Sequence, residues 1–206
     1  MLAKQLLLPF VTPREALTLD VNLTDNTKSE KIGHRPINNQ DRQSYYKLGE
    51  KYEDAFVTMC QQRKLNAKIN PEKEFNKTKP DLLMFDKVSD LKTQTLPFFK
   101  SDRYGVSPED SITFNRKDYE RYKRLYPKID IYVWRGWEEQ EAYGVKVKKV
   151  IDVLWLPFKK IAKLIEDGAK EHFYQQRIND NFNAKSSFIL NRNKFYDITK
   201  KCPART

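Results

Sequence analysis

The stretch KPDLLMFDKVSDLKTQT, residues 79–95, decides how the rest of the chain is read. Asp81 to Phe85 and Val88 to Thr95 each have the composition of a strand, and a tight connection around Asp86 and Lys87 makes them a hairpin. A two-residue loop there sets Phe85 against Val88, Leu83 against Asp90 and Asp81 against Lys92. Side chains alternate with a period of two, so Asp81, Leu83, Asp90 and Lys92 then share one face. A loop of odd length would send the acids of the two strands to opposite faces, so the inference rests on register.

Upstream, residues 41–63 contain no proline, and Tyr45, Leu48, Tyr52, Ala55, Phe56 and Met59 recur at helical spacing. The pattern predicts a helix with one apolar stripe and Asp41 as its N-cap or first-turn acid. Glu53 lies at the border of that stripe, where it can look inward, whereas Asp54 lies opposite. Ala67 to Ile69 is a short strand. Downstream, Asn115 and Asp118 resemble a capping box opening a helix from Arg116 to Tyr126, with Tyr119, Tyr122 and Tyr126 buried and Pro127 as its stop.

Ile129, Ile131 and Val133 alternate with Asp130, Tyr132 and Trp134, as in a half-buried strand. A β segment between Val145 and Leu156, an amphipathic helix from Phe158 to Ile165 closed at Gly168, and a strand at Ser187 to Leu190 follow. This order predicts an α/β fold, a mixed sandwich around a central sheet. Residues 1–40 read as an N-terminal arm or lead-in, Asp25 to Arg35 being poor in apolar groups. Residues 41–206 read as one domain with C-terminal additions.

The chain has 206 residues, a net charge of +11, and 12 Phe, 11 Tyr and 3 Trp, enough apolar surface to fold one core. The positive excess favours a polyanionic partner through counterion release. Cys60, Cys202, His34 and His172 are isolated, which disfavours a disulfide framework or a zinc site and suits a reducing, cytoplasmic location. Leu6 to Phe10 is too short for a signal core or a span, so no membrane role is expected. No Walker-type loop, zinc finger, heptad array or internal repeat is present.

Diagonal neighbours on paired strands, such as Asp81 and Asp90 in that register, lie about 7 to 8 Å apart, so their carboxylates can share a cation. Two close acids oppose each other's ionisation unless a cation intervenes, and an oxygen-only ligand set suits Mg²⁺, with Mn²⁺ able to replace it. A nearby ammonium such as Lys92 can orient a nucleophile and stabilise a phosphoryl transition state.

Pro80-Asp81, eight residues, then Asp90-Leu91-Lys92 resembles the PD-(D/E)xK motif of the restriction-endonuclease-like nuclease superfamily. The chain has a single Pro-Asp and a single Asp/Glu-x-Lys. The resemblance covers residues 41–135 and is generic beyond Trp137. It implies a restriction-endonuclease-like central mixed sheet flanked by helices. It also implies a metal held by Asp81, Asp90 and the Leu91 carbonyl, with Glu53, on the upstream helix, reaching it directly or through water. Gln94 resembles an accessory polar residue of some members. The implied activity is Mg²⁺-dependent phosphodiester hydrolysis of DNA by an endonuclease of restriction, recombination, repair or mobile-element processing.

Lys79, Lys100 and Arg103, nearest the hairpin, are the first candidates for phosphate contacts, followed by Lys117, Arg121 and Arg124 on the basic helix. Trp134 and Trp137 could stack on unpaired bases, although packing is the commoner use of such residues. Each site residue also has a plain reading: Asp90 and Lys92 as a solvated pair, Asp81 as a turn residue, Glu53 as a helix edge, Gln94 as structural. A nucleic-acid-binding protein that does not cleave, or an unrelated basic interaction protein, would share the composition. A homodimer would suit cleavage of two strands, but no interface is legible.

Overall fold

A computed structural model describes residues 11–13, 15–16, 42–174 and 186–199. The Asp41 cap, the Tyr45 side chain, His34, Cys202 and most of the lead-in lie outside the described residues. The architecture is mixed α/β. Helix α1 (Arg42–Gln62) precedes β1 (Ala67–Ile69), the single turn α2 (Glu72–Phe75), β2 (Leu82–Met84) and β3 (Lys87–Gln94). A 3₁₀ helix (Phe99–Tyr104) leads to β4 (Ser111–Asn115), α3 (Arg116–Leu125) and β5 (Asp130–Trp137). There follow β6 (Gln140–Ala142), β7 (Val145–Val147), β8 (Val150–Pro157), α4 (Phe158–Glu166), β9 (Glu171–Phe173), β10 (Ser186–Asn191) and β11 (Tyr196–Asp197).

Six strands form the main sheet in the order β1-β2-β3-β5-β8-β11, antiparallel throughout except for the parallel pair β3 and β5. A second sheet, β4-β10-β9, and the small β6-β7 hairpin complete the described elements. The parallel pair arises because α3 carries the chain back between β3 and β5.

Each face of the main sheet has its own core. The α1 stripe of Tyr52, Ala55, Phe56 and Met59 packs on Leu91, Tyr132, Trp134 and Val153. On the other face, Ile131, Val133, Leu154 and Leu156 meet Tyr119 and Tyr122 of α3, Phe158 and Ile161 of α4, and Phe114 and Phe188 of the second sheet. Strand β5 is therefore buried along its whole length rather than on one face as its alternation predicted. Its polar-looking positions Tyr132 and Trp134 are the ones that seat α1. Trp134 is fully buried, with its ring centroid 5.6 Å from Phe56, and Trp137 is also buried, so neither offers a ring to a base.

The lead-in is docked where it is described. Trp134 Nε1 donates to the Val11 carbonyl at 3.0 Å, Ala16 enters the α1 core, and a Cβ at Gly136 would fall 2.8 Å from the Thr12 backbone. Only glycine admits that approach. A buried cross-strand pair, Arg135 on β5 and Asp152 on β8, makes two hydrogen bonds of 2.8 and 2.6 Å, while Arg135 Nη1 also donates to the Glu109 carbonyl. This clamp joins the main sheet to the start of β4.

The hairpin turns one residue earlier than the sequence suggested. Phe85 and Asp86 form the loop, with φ of 50° and 62°, and the register pairs Leu82 with Ser89, Leu83 with Val88 and Met84 with Lys87. Two successive left-handed residues match the twist of a hairpin. Asn66 and Lys68 hold the Asp86 carboxylate, and Phe85 N–H donates to the Asn66 carbonyl. The strands slide by two residues relative to the expected pairing, which preserves which face each side chain takes.

Two stability predictions follow from these contacts. Phe85→Asn, which puts a residue tolerant of left-handed backbone at a half-exposed turn position, raises unfolding free energy by about 1 kcal/mol in urea denaturation. Asp152→Ala leaves the buried Arg135 charge uncompensated and lowers it by about 3 to 5 kcal/mol in the same assay.

Candidate active site

Continuing the hairpin register one step beyond Leu82 and Ser89 sets Asp81 directly opposite Asp90. The diagonal relation expected from the sequence becomes a direct one, and Lys92 moves from opposite Asp81 to the diagonal. In the parallel ladder Asp90 and Lys92 lie beside Ile131 and Val133, so both side chains face α3. Asp81 sits in the bend before β2 rather than inside a strand.

The α3 side chains complete this half of the site. Lys92 Nζ lies 2.7 Å from Asp90 Oδ2 and 2.7 Å from Asp118 Oδ2, and 5.4 Å from the centre of the Tyr122 ring. Arg121 Nη2 donates to the Tyr122 hydroxyl at 2.7 Å and lies 3.1 Å from Asp118 Oδ1 and 3.9 Å from Asp90 Oδ1. The N-cap expected at Asn115 forms, its side chain accepting from Lys117 N–H. It starts the helix in the phase that directs Asp118, Arg121 and Tyr122 at β3.

The other half of the site contains a lysine that the motif gave no reason to select. Lys73, on α2, is buried, with its ammonium 2.5 Å from Glu53 Oε2 and 2.7 Å from Asp81 Oδ1. Asp81 Oδ2 accepts from Leu91 N–H at 3.2 Å. Asn70 fixes the geometry: its N–H donates to the Asp81 carbonyl, its side-chain amide donates to the Pro80 carbonyl, and its Oδ1 accepts from Glu72 N–H. One buried amide thus ties the start of α2, and with it Lys73, to the Pro80-Asp81 bend.

Together these groups form a line of charges in which signs alternate: Glu53, Lys73, Asp81, then Asp90, Lys92, Asp118 and Arg121. The alternation fails once, between Asp81 and Asp90. Burial raises the Asp90 carboxyl above the usual range, Lys92 opposes that shift and Asp81 adds to it, and the net direction is upward. Burial likewise raises Glu53 against the opposing effect of Lys73. Burial acts to lower Lys92, but Asp90, Tyr122, Asp118 and Asp81 outweigh it and hold the ammonium well above the ordinary lysine value. Despite the close ammonium, Asp90 Oδ2 accepts no hydrogen bond, so the Lys92 contact there is an ion pair without hydrogen-bond direction.

These donors fit a hard divalent cation. They are carboxylate oxygens, Asp81 lies close enough to Asp90 to oppose its ionisation, and the buried Asp90 Oδ2 lacks a directed hydrogen bond. Among the described residues, no three His, Cys, Asp or Glu side chains converge as a preformed metal cage. Lys73 supplies positive charge at Asp81 and engages Glu53, the acid that the motif would offer as a further ligand.

The remaining sequence candidates are distributed more widely. Gln94 Nε2 donates to the carbonyls of Leu96 and Ser111 at 3.2 Å each, which ties β3 to β4 and does not bring the amide to the acids. Lys79 pairs with Glu72 at 2.6 Å. Arg121, expected among the outward phosphate contacts, is turned into the site instead. Arg116 is paired with Glu171, and Lys123 with Glu166, so the basic face of α3 is partly neutralised. Lys117, Arg124, Lys100 and Arg103 are exposed.

Asp118 and Tyr122 were readable only as helix cap and core. Their four-residue spacing places them on one side of α3, but nothing in the sequence says that β3 lies beneath it. Comparisons with protein-family models, curated proteins and solved structures returned no match. Among the described residues, no helix is long and apolar enough to cross a membrane.

Lys100 and Arg103 act electrostatically on His172 of β9. His172 Nδ1 lies 2.7 Å from the Tyr104 hydroxyl, and burial, then Lys100 and Arg103, lower the imidazole pKa. Its titration followed by proton NMR should fall below the ordinary value of about 6.5. Replacing both cations by alanine should move it upward. Because the folded-state value is depressed, the associated stability is present above about pH 6.5 and is lost as pH falls through the lowered pKa.

Proposed function

We propose that the chain is a divalent-metal-dependent phosphodiesterase of the restriction-endonuclease-like class, acting on DNA as an endonuclease. The observation that carries this reading is the nearness of Asp81 to Asp90, which the β2-β3 register directs to one side and which disfavours ionisation of Asp90, with Lys92 beside it. Neighbouring carboxylates in a buried site are costly, and a Mg²⁺ ion is the partner that reverses the cost.

Asp81 and Asp90 would hold the ion beside the Leu91 main chain. When bound, Mg²⁺ withdraws charge from a phosphoryl oxygen and favours deprotonation of water. Lys92, pinned between Asp90 and Asp118, keeps a positive charge where a pentavalent phosphoryl group would gather negative charge. Asp118 and Arg121 position that lysine and Asp90. Tyr122 closes the site on its inner side; burial, reinforced by Asp90, raises its hydroxyl pKa well above the ordinary value, so it stays protonated.

A second reading has its own support. Lys73 already lies between Glu53 and Asp81, and a site whose acids are neutralised by lysine could bind nucleic acid without cutting it. The two readings part in one assay. Supercoiled plasmid and single-stranded DNA are incubated with Mg²⁺, Mn²⁺, Ca²⁺ or EDTA, using wild type, Asp90→Asn and Asp90→Ala. The nuclease reading expects cleavage in Mg²⁺ and Mn²⁺ and none with EDTA. It also expects a loss of about 100-fold or more in both variants, with circular dichroism unchanged. Retention of DNA in a mobility shift with no cleavage under any condition would favour the binding protein.

A further inference from the structure

Both oxygens of Asp81 are engaged. Oδ2 accepts from the Leu91 amide, a donor fixed in the central strand β3, and Oδ1 is held by the Lys73 ammonium at 2.7 Å. A carboxylate oxygen has room for a second donor, but an ammonium and a divalent ion on one oxygen repel each other strongly at such distances. For a cation to coordinate Asp81, one existing partner has to yield. The backbone amide belongs to a strand paired on both sides, whereas Lys73 is a four-carbon side chain on a single turn of helix.

Lys73 also has somewhere to go. A cavity of about 350 Å³ opens beside it, lined by Glu50, Glu53, Asp54, Asn70, Glu74 and Lys77 among others. Glu50, which pairs with Lys77 at 2.6 Å, is close enough to Lys73 to feel its charge. An ammonium leaving Asp81 can therefore move toward other carboxylates and stay solvated.

We propose that Lys73 is an internal competitor of the divalent cation at Asp81: the ammonium occupies the carboxylate in metal-free protein and is expelled into the neighbouring cavity when the metal binds. Metal affinity then reflects an exchange of one cation for another rather than the filling of a vacant acid pair. The two occupancies exclude each other, so the side chain of Lys73 reports the state of the site. This inference rests on the metal-dependent reading above and deepens it.

The test measures Mn²⁺ binding to the full chain without DNA, by calorimetry and by loss of the free-ion electron paramagnetic resonance signal. Wild type is compared with Lys73→Met and Lys73→Gln; the second keeps a neutral hydrogen-bond donor for the two acids if the first folds poorly. Competition expects both substitutions to tighten Mn²⁺ binding by about tenfold or more. A companion measurement needs no substitution. Amine labelling of wild type, read by mass spectrometry of the peptide containing Lys73, should be slow in EDTA and several-fold faster in saturating Mn²⁺.

Equal or weaker Mn²⁺ binding by the folded variants overturns the competitor. So does binding to wild type that leaves Lys73 labelling unchanged, and in both cases the metal site itself survives. Absence of Mn²⁺ binding in wild type and variants alike removes both the competitor and the metal-dependent reading.

Discussion

The face on which the hairpin acids emerge is the constraint from which the site is built. Asp81, Asp90 and Lys92 reach one region only because an even number of residues closes the β2-β3 turn. The left-handed pair Phe85 and Asp86 fixes that number, and Asn66 and Lys68 hold the turn from β1 and the loop before it. A slip of two residues moves Asp81 from the diagonal to a position facing Asp90 without changing sides. A slip of one would turn Asp81 to the opposite side of the sheet from Asp90, toward the apolar core that Phe56 and Trp134 form.

Bringing the acids face to face creates an electrostatic problem that neighbouring elements partly solve. Lys73 arrives from α2, which Asn70 ties to the Pro80-Asp81 bend, and Arg121 arrives from α3 with Asp118 to balance it. Breaking such buried pairs one partner at a time is expensive, so these residues keep the site rigid whether or not they stabilise the fold overall. Four carboxylates meet three cations in the cluster, and the surplus negative charge lies where Asp81 faces Asp90. That imbalance is what distinguishes the arrangement from a closed structural ion-pair network.

The main elements were legible because their signals are local. Periodicity placed α1, α3 and α4 within a few residues, and the capping asparagine at 115 and the left-handed Gly168 mark ends that the structure reproduces. Strand β4, the α2 turn and the 3₁₀ helix were not foreseen, since Ser111–Asn115 is short and Glu72–Phe75 has a single turn with no face to reveal. The hairpin placed the two aspartates on one side but not their spacing, because Phe85 is an improbable residue for left-handed backbone. Lys73 and Asp118 were invisible for a different reason. Their meaning depends on which helix lies over which end of β3, and that is decided by tertiary contacts: the packing of Tyr122 on Phe158 for α3, and the Asn70 tie to the Pro80-Asp81 bend for α2.

The basic surplus of the chain has to be read in the same light. Lys73, Lys92 and Arg121 are committed to acids inside the site, and Arg135 and Arg192 are committed to Asp152 behind it. On α3, Arg116 and Lys123 face Glu171 and Glu166. Exposed basic residues include Lys100 and Arg103, which follow β3, and Lys117 and Arg124 on α3. All four follow β3 in sequence. Under the proposed function, a polyanion reaching the acid cluster would be repelled by its surplus carboxylates unless a cation intervened. On the proposed reading, a surface that attracts a polyanion and a centre with surplus carboxylate make the same demand of a substrate: a phosphate that brings, or is met by, a metal.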